Sequence, residues 1–555
     1  MMSDRPISAH RRPTAALLAL GLILCAACTT LEPALLFDGT GEHHFPVSTD
    51  VPLAQEYFDQ GWALAMGFNF EESRRSFAEA ARLDPDCAMA YWGQAYALGP
   101  NYNGPLDPDR AERAADAVDE AMDRRHDVSA MERDLIEALA VRLAKPVPEG
   151  DPERDVLDGA YTGAMRMLWH EYPDEDDIGF LYADALFAET PWELWDADFQ
   201  PGRNTPEAIA VLEQVLALNI DHPGANHYTI HLWEPSGEAW RAEAAADRLG
   251  ALTPGLGHMV HMPSHIYVQV GRYADAVRVN DEGARLDREY FARVGPQGEY
   301  HFYQAHNSHF RIWSAMSMGA YEEALEACRV LLDDLPDPME AQPWAAQWIG
   351  VDQTVHLRFG NWEAALEAPE PRAEQPYAVA LWHYGRGLAL ANLGRFDEAR
   401  AEAEALDATA ASIPSFDPEF FDEIQKVMTV AKEMLAGEIA YLSGDHETGY
   451  AHLRAAVQAE DSLRYTEPSP WMVPTRHSLG ALLLEQGRLA EAEQLYRHDL
   501  RLHAGNVWSL QGLTECLERS GQTEEAAELR ARFEVARAQA SVDVRASCYC
   551  RSLDA

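Results

Sequence analysis

The chain has 555 residues, of which 44 are Lys or Arg and 91 are Asp or Glu, so its formal net charge is −47. Nucleic-acid binding requires clustered cations that displace counterions, so this charge balance predicts a protein that does not bind nucleic acid. Hydrophobic residues make up 47% of the chain, which is enough for a core and excludes wholesale disorder. This length predicts several domains or one long repeat array.

The first residues have the pattern of an export signal. Arg5, Arg11 and Arg12 precede an apolar run over residues 15–24. A basic start followed by a short apolar stretch and small residues is typical of a secretory signal peptide, and this run is too short to span a bilayer as a permanent helix. The pattern therefore predicts an exported protein.

The signal ends in the tetrapeptide Cys25-Ala26-Ala27-Cys28. It resembles the lipobox of bacterial lipoproteins, in which two small residues precede the lipidated cysteine, although Cys25 stands where leucine is usual. The resemblance implies that residues 1–27 are a lipoprotein signal peptide and that Cys28 carries the lipid. Thr29, in place of Asp, implies the outer membrane, with the protein facing the periplasm. The alternative is an ordinary secretory signal and a soluble product.

A repeat of 34 residues begins near Ala54. Its positions 8, 24, 27 and 32 are filled by Gly61, Phe77, Ala80 and Pro85. This pattern resembles the tetratricopeptide repeat, in which small residues allow two antiparallel helices to approach and large residues fill the space between them. The pattern therefore predicts helix pairs.

A second marker of the repeat is a glycine, then any residue, then an aromatic residue, with alanine three positions later. The glycine is expected at the end of the first helix of a pair, where a left-handed residue closes the helix. The marker occurs at Gly271-Tyr273-Ala276, Gly319-Tyr321-Ala324, Gly360-Trp362-Ala365 and Gly394-Phe396-Ala399, with weaker copies at Gly444, Gly487 and Gly521.

Alignment on these markers predicts repeats that start near residues 54, 88, 223, 257, 305, 346, 380, 430, 473 and 507. The fold class that follows is an all-α, right-handed superhelical solenoid of about ten helix-pair repeats. Between about 104 and 205 the repeat register is lost, although the apolar spacing still predicts helices, and a helix is expected over Thr205–Leu218. The predicted organisation is a linker (28–51), N-terminal repeats (52–103), an irregular helical segment (104–222), central repeats (223–336), C-terminal repeats (337–540) and a tail (541–555).

Over residues 52–540, apart from the irregular segment, the chain resembles the tetratricopeptide-repeat superfamily. Residues 88–93 and 257–265 also resemble a group of exported bacterial tetratricopeptide lipoproteins, which implies the fold but no particular chemistry. The superfamily resemblance implies that the first helix of each pair lines a concave groove through positions 2, 5, 9 and 12. It also implies a binding or interaction module, with a protein or a small ligand in the groove.

Histidines fill most of the groove positions 2, 5 and 9 in three neighbouring repeats, where the composition of the chain would place fewer than one. Residues at i, i+3, i+4 and i+7 share one helix face, and neighbouring helices pack about 8–10 Å apart, so rings from adjacent repeats are expected to meet. The stripe consists of His227, His231, His258, His261, His265, His306 and His309, and Glu234 follows at position 12.

Neutral imidazole is the commonest metal ligand, so the stripe predicts a site for a transition metal ion such as Cu, Fe, Zn or Ni. Glu234 is expected either to add a carboxylate ligand or to orient a ring. The number of histidines exceeds the need of one ion. Either the stripe binds two ions, or it binds one ion and the remaining rings hold the ligand side chains, contact a substrate or carry protons. The alternative is a set of hydrogen-bonded wall residues, or a site for an anionic ligand or peptide carboxylate.

Pro263 falls inside the histidine-bearing helix and is expected to kink it between His261 and His265. In the C-terminal tail, Cys548 and Cys550 are interpreted either as a soft-metal or redox pair or as two thiols with neither role.

Two functional hypotheses follow from these patterns. The first is an exported, lipid-anchored binding or interaction module whose groove holds a transition metal, a ligand or both. The second is a metal-dependent oxidoreductase or hydrolase that uses the same histidine cluster and an open coordination position. The chain has no Gly-x-Ser-x-Gly elbow and no His-Glu-x-x-His motif, which disfavours conventional hydrolases.

Overall fold

The computed structural model describes residues 33–103, 108–143, 145–148, 151–196, 198–295, 300–335, 345, 347–415 and 418–551. The predicted signal peptide and Cys28 lie outside these ranges. Within them the regular structure is helical, and the only β pairing is an isolated bridge between Trp195 and Pro201. No helix in these ranges combines the length and the apolar character that a membrane span requires.

The N-terminal helices lead up to the histidine stripe and carry most of it. They are α1 (Pro52–Met66), α2 (Phe70–Leu83), α3 (Ala88–Leu98), α4 (Pro108–Arg124), α5 (Ala130–Arg142), α6 (Asp151–Glu171), α7 (Asp176–Glu189), α8 (Thr205–Leu218), α9 (Pro223–Trp233), α10 (Glu243–Leu252), α11 (Gly257–His261) and α12 (Pro263–Gln269).

The later helices complete the array and end before the tail. They are α13 (Tyr273–Val294), α14 (His301–Ser317), α15 (Tyr321–Asp334), α16 (Val351–Arg358), α17 (Trp362–Glu367), α18 (Pro376–Asn392), α19 (Phe396–Ala410), α20 (Pro418–Leu442), α21 (His446–Glu460), α22 (Thr475–Glu485), α23 (Leu489–Leu502), α24 (Val507–Ser520) and α25 (Thr523–Arg537).

Helices that follow one another in sequence pack side by side, which builds an array of helix pairs. Phe77 of α2 shows how the first repeats are held together, because its buried ring lies against Gly61 of α1 and Gly93 of α3. A methyl group would lie 2.8 Å from this ring at Gly61 and 2.5 Å from it at Gly93, so both positions require glycine. This all-α solenoid of the tetratricopeptide type confirms the predicted fold class, while the number of repeats stays a prediction.

The turns within the helix pairs confirm the glycine marker. Gly271, Gly319, Gly394 and Gly487 each follow the first helix of a pair, with φ of 82°, 79°, 74° and 72°. Glycine adopts this left-handed conformation without a Cβ penalty, which is why it ends these helices. The predicted helix α8 is also present with the expected bounds. Helices α3, α9, α11 and α24 begin at the predicted repeat starts, whereas α14 begins at His301, ahead of the predicted start.

The distortion predicted at Pro263 is present as a break between two short helices. Helix α11 ends at His261 and α12 begins at Pro263, with Met262 between them. Proline lacks a backbone N–H and cannot extend the hydrogen-bond ladder of α11, so a second short helix starts at this residue. The break lies inside the histidine stripe.

Segments from both ends of the chain fold back over the central helices. Near the N-terminus, the carbonyl of Gly39 accepts a hydrogen bond of 2.8 Å from the backbone N–H of Gly255. From the C-terminal repeats, the indole N–H of Trp508 donates to the carbonyl of Met316 at 2.7 Å. The central helices, which carry the histidines, are therefore covered by chain from distant parts of the sequence.

Candidate metal centre

The histidine stripe is buried. Even His306, the most accessible of the seven histidines, is only partly exposed, and His227 and His261 are fully inaccessible. The sequence placed these side chains on the wall of an open groove. In the structure Phe68 and Glu467, which come from other parts of the chain, pack against them, so the site is enclosed.

Six of the seven histidines form two adjacent groups, within each of which the ligand nitrogen atoms lie within 4.8 Å of one another. We call these groups the first triad and the second triad. The first triad consists of His227, His231 and His258, and the second triad consists of His261, His265 and His306.

The first triad is built by two helices. His227 and His231 lie one turn apart on α9, and His258 faces them from the start of α11. The ring centroid of His227 lies 4.7 Å from that of His231 and 5.1 Å from that of His258. The spacing predicted from the sequence thus brings these three rings together.

Hydrogen bonds fix which ring nitrogens face the centre of the first triad. Nδ1 of His227 donates to the carbonyl of Met66 at 2.7 Å, at the end of α1, where helix carbonyls lack intrahelical partners. Nδ1 of His231 donates to Oε1 of Glu234 at 2.8 Å. In each ring, therefore, Nε2 carries the lone pair.

These lone pairs meet no protein donor. Nε2 of His227, Nε2 of His231 and both ring nitrogens of His258 are buried and have no hydrogen-bond partner in the described part of the chain. A buried polar atom left unpaired costs about 1–3 kcal/mol, so unpaired nitrogens on three adjacent rings indicate a ligand that one nitrogen of each ring contacts. Imidazole nitrogens whose other N–H is held by a carbonyl or a carboxylate are typical of metal sites.

Phe68 encloses the first triad from the turn between α1 and α2. Its ring centroid lies 4.6 Å from that of His227, and its plane stacks on the rings of His231 at 5.6 Å and His258 at 5.4 Å. Its φ of 58° is uncommon for a residue with a side chain. The turn thus places one aromatic ring against all three imidazoles, which keeps water away from them.

Burial keeps the first triad neutral. Desolvation, followed by the neighbouring imidazoles, lowers the pKa of His227 and of His258 well below the usual value, and it lowers the pKa of His231 to about 3. Neutral imidazole is the form that binds a metal ion. The triad is therefore in its ligand form throughout the neutral pH range.

The second triad has a different hydrogen-bond pattern. Nε2 of His261 and Nε2 of His265 lie 2.8 Å apart. Nδ1 of His261 lies 2.6 Å from Oδ1 of Asn280 on α13, and Nδ1 of His265 lies 2.6 Å from Oε2 of Glu234 and also contacts Glu467. The outer nitrogens of both rings are thus held by acceptors, and the inner nitrogens face each other.

His306 completes the second triad from α14. Its ring centroid lies 4.9 Å from that of His261 and 5.7 Å from that of His265. Phe310, one turn further along the same helix, stacks on the ring of His265 at 4.8 Å. Because His306 is partly exposed, the second triad has one side nearer to solvent than the first.

Carboxylates set the charge of the second triad. Burial lowers the pKa of His261 and of His306, and neighbouring imidazoles add to this effect. Burial also opposes a charge on His265, but the carboxylates of Glu467 and Glu234 outweigh it and raise its pKa to about 10. The two carboxylates thus favour the charged form of His265.

Glu234 connects the two triads. This residue ends α9 and is almost fully buried; its Oε1 accepts the hydrogen bond of His231, and its Oε2 accepts that of His265. The sequence left open whether Glu234 is a ligand or orients a ring. In the structure it contacts the outer nitrogens, which is the contact expected of a residue that orients rings.

His309 lies outside both triads. Its Nε2 lies 3.1 Å from Sδ of Met472, and its ring centroid lies 6.3 Å from that of Trp348. Burial lowers its pKa to about 3. Of the predicted site residues, His309 is thus the one that the structure places apart from the others.

Sequence reasoning missed three residues that shape the site. Phe68 lies in a turn with no repeat marker, Asn280 lies on the second helix of a pair, and Glu467 lies in the loop that precedes α22. None of them occupies a groove position in the repeat register. Only contacts between distant parts of the chain reveal them.

A further cluster joins the N-terminal segment to the array. Asp177 accepts hydrogen bonds from the indole of Trp62 at 2.7 Å and from Nε2 of His43 at 3.0 Å, and it also lies near His222. These bonds outweigh the cost of burial and hold the pKa of Asp177 well below its usual range. Nε2 of His222 lies 3.4 Å from Oδ1 of Asp177 and has no hydrogen-bond partner in the described residues, and the ligand atoms of His43, Asp177 and His222 lie within 4.8 Å of one another.

In the tail, Cys548 and Cys550 form a disulfide, and their sulfur atoms lie close to the buried carboxyl of Glu438. Burial raises the pKa of Glu438 to about 7, against hydrogen bonds from Asn392 and Ser478 that lower it. Both sulfur atoms are therefore in the oxidised form, and neither cysteine of this pair is a free thiol.

No protein-family model matches the sequence, and no curated protein matches it. Among solved structures, the chain aligns with the human IFIT1 dimer with m7Gppp-AAAA at 13% identity, over 89% of this chain and 92% of that one, with a TM-score of 0.29. Cut9-Hcn1 of the APC/C aligns at 14% identity over 88% and 74%, with a TM-score of 0.28. Yeast Tom70 aligns at 12% identity over 87% and 92%, with a TM-score of 0.26.

Scores this low carry no argument about ligands or partners. The class of protein rests on the geometry described above, which is an all-α solenoid of the tetratricopeptide type with a buried histidine centre between its central helices.

Proposed function

We propose that this protein binds a transition metal ion in the first triad, and that the helical array acts as a binding module built around that ion. The observation that carries this proposal is the convergence of three buried imidazole nitrogens, one from each ring of the first triad, that have no hydrogen-bond partner in the described part of the chain. The candidate ions are Cu, Fe, Zn and Ni, which neutral imidazole suits. The remaining groove surface is proposed to bind a protein or a small ligand.

The test is elemental analysis of the full-length protein purified without added metal or chelator. We expect bound transition metal in the wild type and its loss from the first triad in His227→Ala. His309→Ala is the matched control, because His309 is buried in the same region but lies outside the triads. A protein that is metal-free and binds none of these ions on titration would overturn the proposal.

A metal-dependent oxidoreductase or hydrolase is the second candidate function. It is favoured by the partial exposure of His306, which would leave a coordination position accessible to a substrate. Turnover by the metal-loaded protein that is lost in His306→Ala, while metal in the first triad is kept, would support an enzyme. Turnover unchanged in that variant would exclude the second triad from the reaction.

We further propose that the protein is exported and held at the outer membrane, facing the periplasm, by a lipid on Cys28. The support for this is the sequence of residues 1–28 alone. Labelling with a fatty-acid analogue and fractionation of the cell envelope test it. The wild type is expected to carry the label and to require detergent for release, whereas Cys28→Ser is expected to be unlabelled. A labelled Cys28→Ser variant would overturn the assignment of the anchor.

A further inference from the structure

We infer that the second triad binds a second transition metal ion, so that the protein holds a two-metal centre. This inference rests on the proposed function, because it adds an ion beside the one in the first triad. It concerns His261, His265 and His306 and the outer groups that hold them.

The first argument comes from the protons on the two facing rings. The amide N–H of Asn280 donates to the carbonyl of Ala276 at 2.7 Å, which turns Oδ1 of Asn280 toward His261. Nδ1 of His261 therefore carries the hydrogen, and Nε2 carries the lone pair. Nδ1 of His265 faces carboxylate oxygens, so it carries a hydrogen too.

Two Nε2 lone pairs at 2.8 Å repel each other unless a positive centre lies beside both. Either a proton on His265 or a metal ion satisfies them. A proton would join only these two nitrogens and would leave His306 without a role, whereas an ion uses all three rings. The ligand atom of His306 lies within 4.8 Å of those of His261 and His265.

The separation of the two nitrogens also suits a metal. Two imidazole nitrogens at about 2.0–2.1 Å from one ion are roughly 2.9 Å apart when the angle between their bonds is about 90°. In a tetrahedral site the same atoms would be roughly 3.3 Å apart. The observed 2.8 Å is close to the first of these separations, so both nitrogens can bind one ion with little movement of either ring.

The charge around the second triad completes the argument. The carboxylates of Glu234 and Glu467 are both nearly buried and both face His265. Buried carboxylates require cations near them. A divalent ion on the inner nitrogens of His261 and His265 would supply that charge, with Glu234 linking it to the first triad through His231.

The experiment loads the full-length protein with Cu²⁺, removes free metal, and measures copper per chain and the electron paramagnetic resonance spectrum. We expect two copper ions per chain in the wild type and one in His306→Ala. Two nearby Cu(II) ions broaden each other's signal, so the wild-type spectrum should sharpen in His306→Ala. His309→Ala is the control and should keep two ions. If His306→Ala loses its helical circular dichroism, His306→Gln replaces it.

The outcomes separate this inference from the proposed function. One copper per chain in the wild type, kept in His306→Ala with an unchanged spectrum, would overturn the second ion and leave the first triad as the metal site. No bound copper in the wild type would overturn both. A count of two in the wild type and one in His306→Ala supports both.

Discussion

Oε2 of Glu234 accepts a hydrogen bond of 2.6 Å from Nδ1 of His265, and both residues are almost fully buried. The other oxygen of the same carboxylate holds His231. One side chain therefore sets the orientation of a ring in each triad. A change at Glu234 is expected to reach both triads at once.

We expect Glu234→Gln to weaken metal binding in both triads by about 10- to 100-fold, because residues that orient ligand rings typically contribute that much. Competition against a chelator of known affinity measures the effect for each ion. Glu467→Gln is the matched comparison, since Glu467 contacts His265 and should affect the second triad only. Equal affinities in wild type and Glu234→Gln would show that the carboxylate does not orient the rings.

Phe68→Ala is expected to destabilise the protein by about 3–5 kcal/mol, because it removes a buried ring that packs on all three imidazoles of the first triad. The variant should also release metal to a chelator faster, since the triad loses its cover. Urea unfolding and chelator kinetics measure the two effects. Phe199→Ala is the control, because Phe199 has the same φ of 58° but is 47% exposed. Similar losses in both variants would assign the effect to the backbone instead of the packing.

Gly93→Ala is expected to lower the free energy of unfolding by about 1–3 kcal/mol, because the added methyl group would lie 2.5 Å from the ring of Phe77. Gly163→Ala in α6 is the matched control, since no atom lies within 4 Å of the position of its methyl group. That variant should gain about 0.5–1 kcal/mol from the better helix propensity of alanine. The midpoints of urea denaturation show whether each variant is less or more stable than the wild type. A Gly93→Ala variant with the stability of the wild type would contradict the close approach of the two helices.

Glu438→Gln is expected to stabilise the protein at pH 8 and to have little effect at pH 4. The folded pKa of Glu438 is raised to about 7 by burial, from 4.5, so the folded protein binds more protons than the unfolded chain between these values. Stability therefore falls as the pH rises through this range, by about 3 kcal/mol for this group. The free energy of unfolding, measured at both pH values, should fall less between pH 4 and pH 8 in the variant than in the wild type.

The control for the pH experiment is Glu528→Gln on the exposed face of α25, which should leave the pH dependence as in the wild type. A Glu438→Gln variant whose stability declines with pH as steeply as that of the wild type would contradict the raised pKa.

The local parts of the fold were predictable because each depends on residues close in sequence. The left-handed turn at Gly271 follows from one glycine, and α8 follows from apolar spacing and its flanking turn residues. The break at Pro263 follows from the missing N–H of proline. The number of repeats does not follow in the same way, because insertions change the register.

The candidate site was predictable in its residues but not in its arrangement. The repeat register brought together six histidines that the structure places in two triads. It did not separate the triads, because their boundary depends on the restart of the helix after His261 and on the acceptor at Asn280. It also did not set His309 apart, since that ring turns toward Met472 from the C-terminal repeats.

The two triads depend on atoms from widely separated parts of the chain, since the carbonyl of Met66 holds His227 and the carboxylate of Glu467 contacts His265. These two anchors are about 400 residues apart, so a ribosome must release most of the chain before the centre can close. The helix pairs can form in order as they are synthesised, whereas the contact of Glu467 with the second triad forms at a late stage of folding. Any ion bound by the second triad would therefore enter after translation of the segment that carries Glu467.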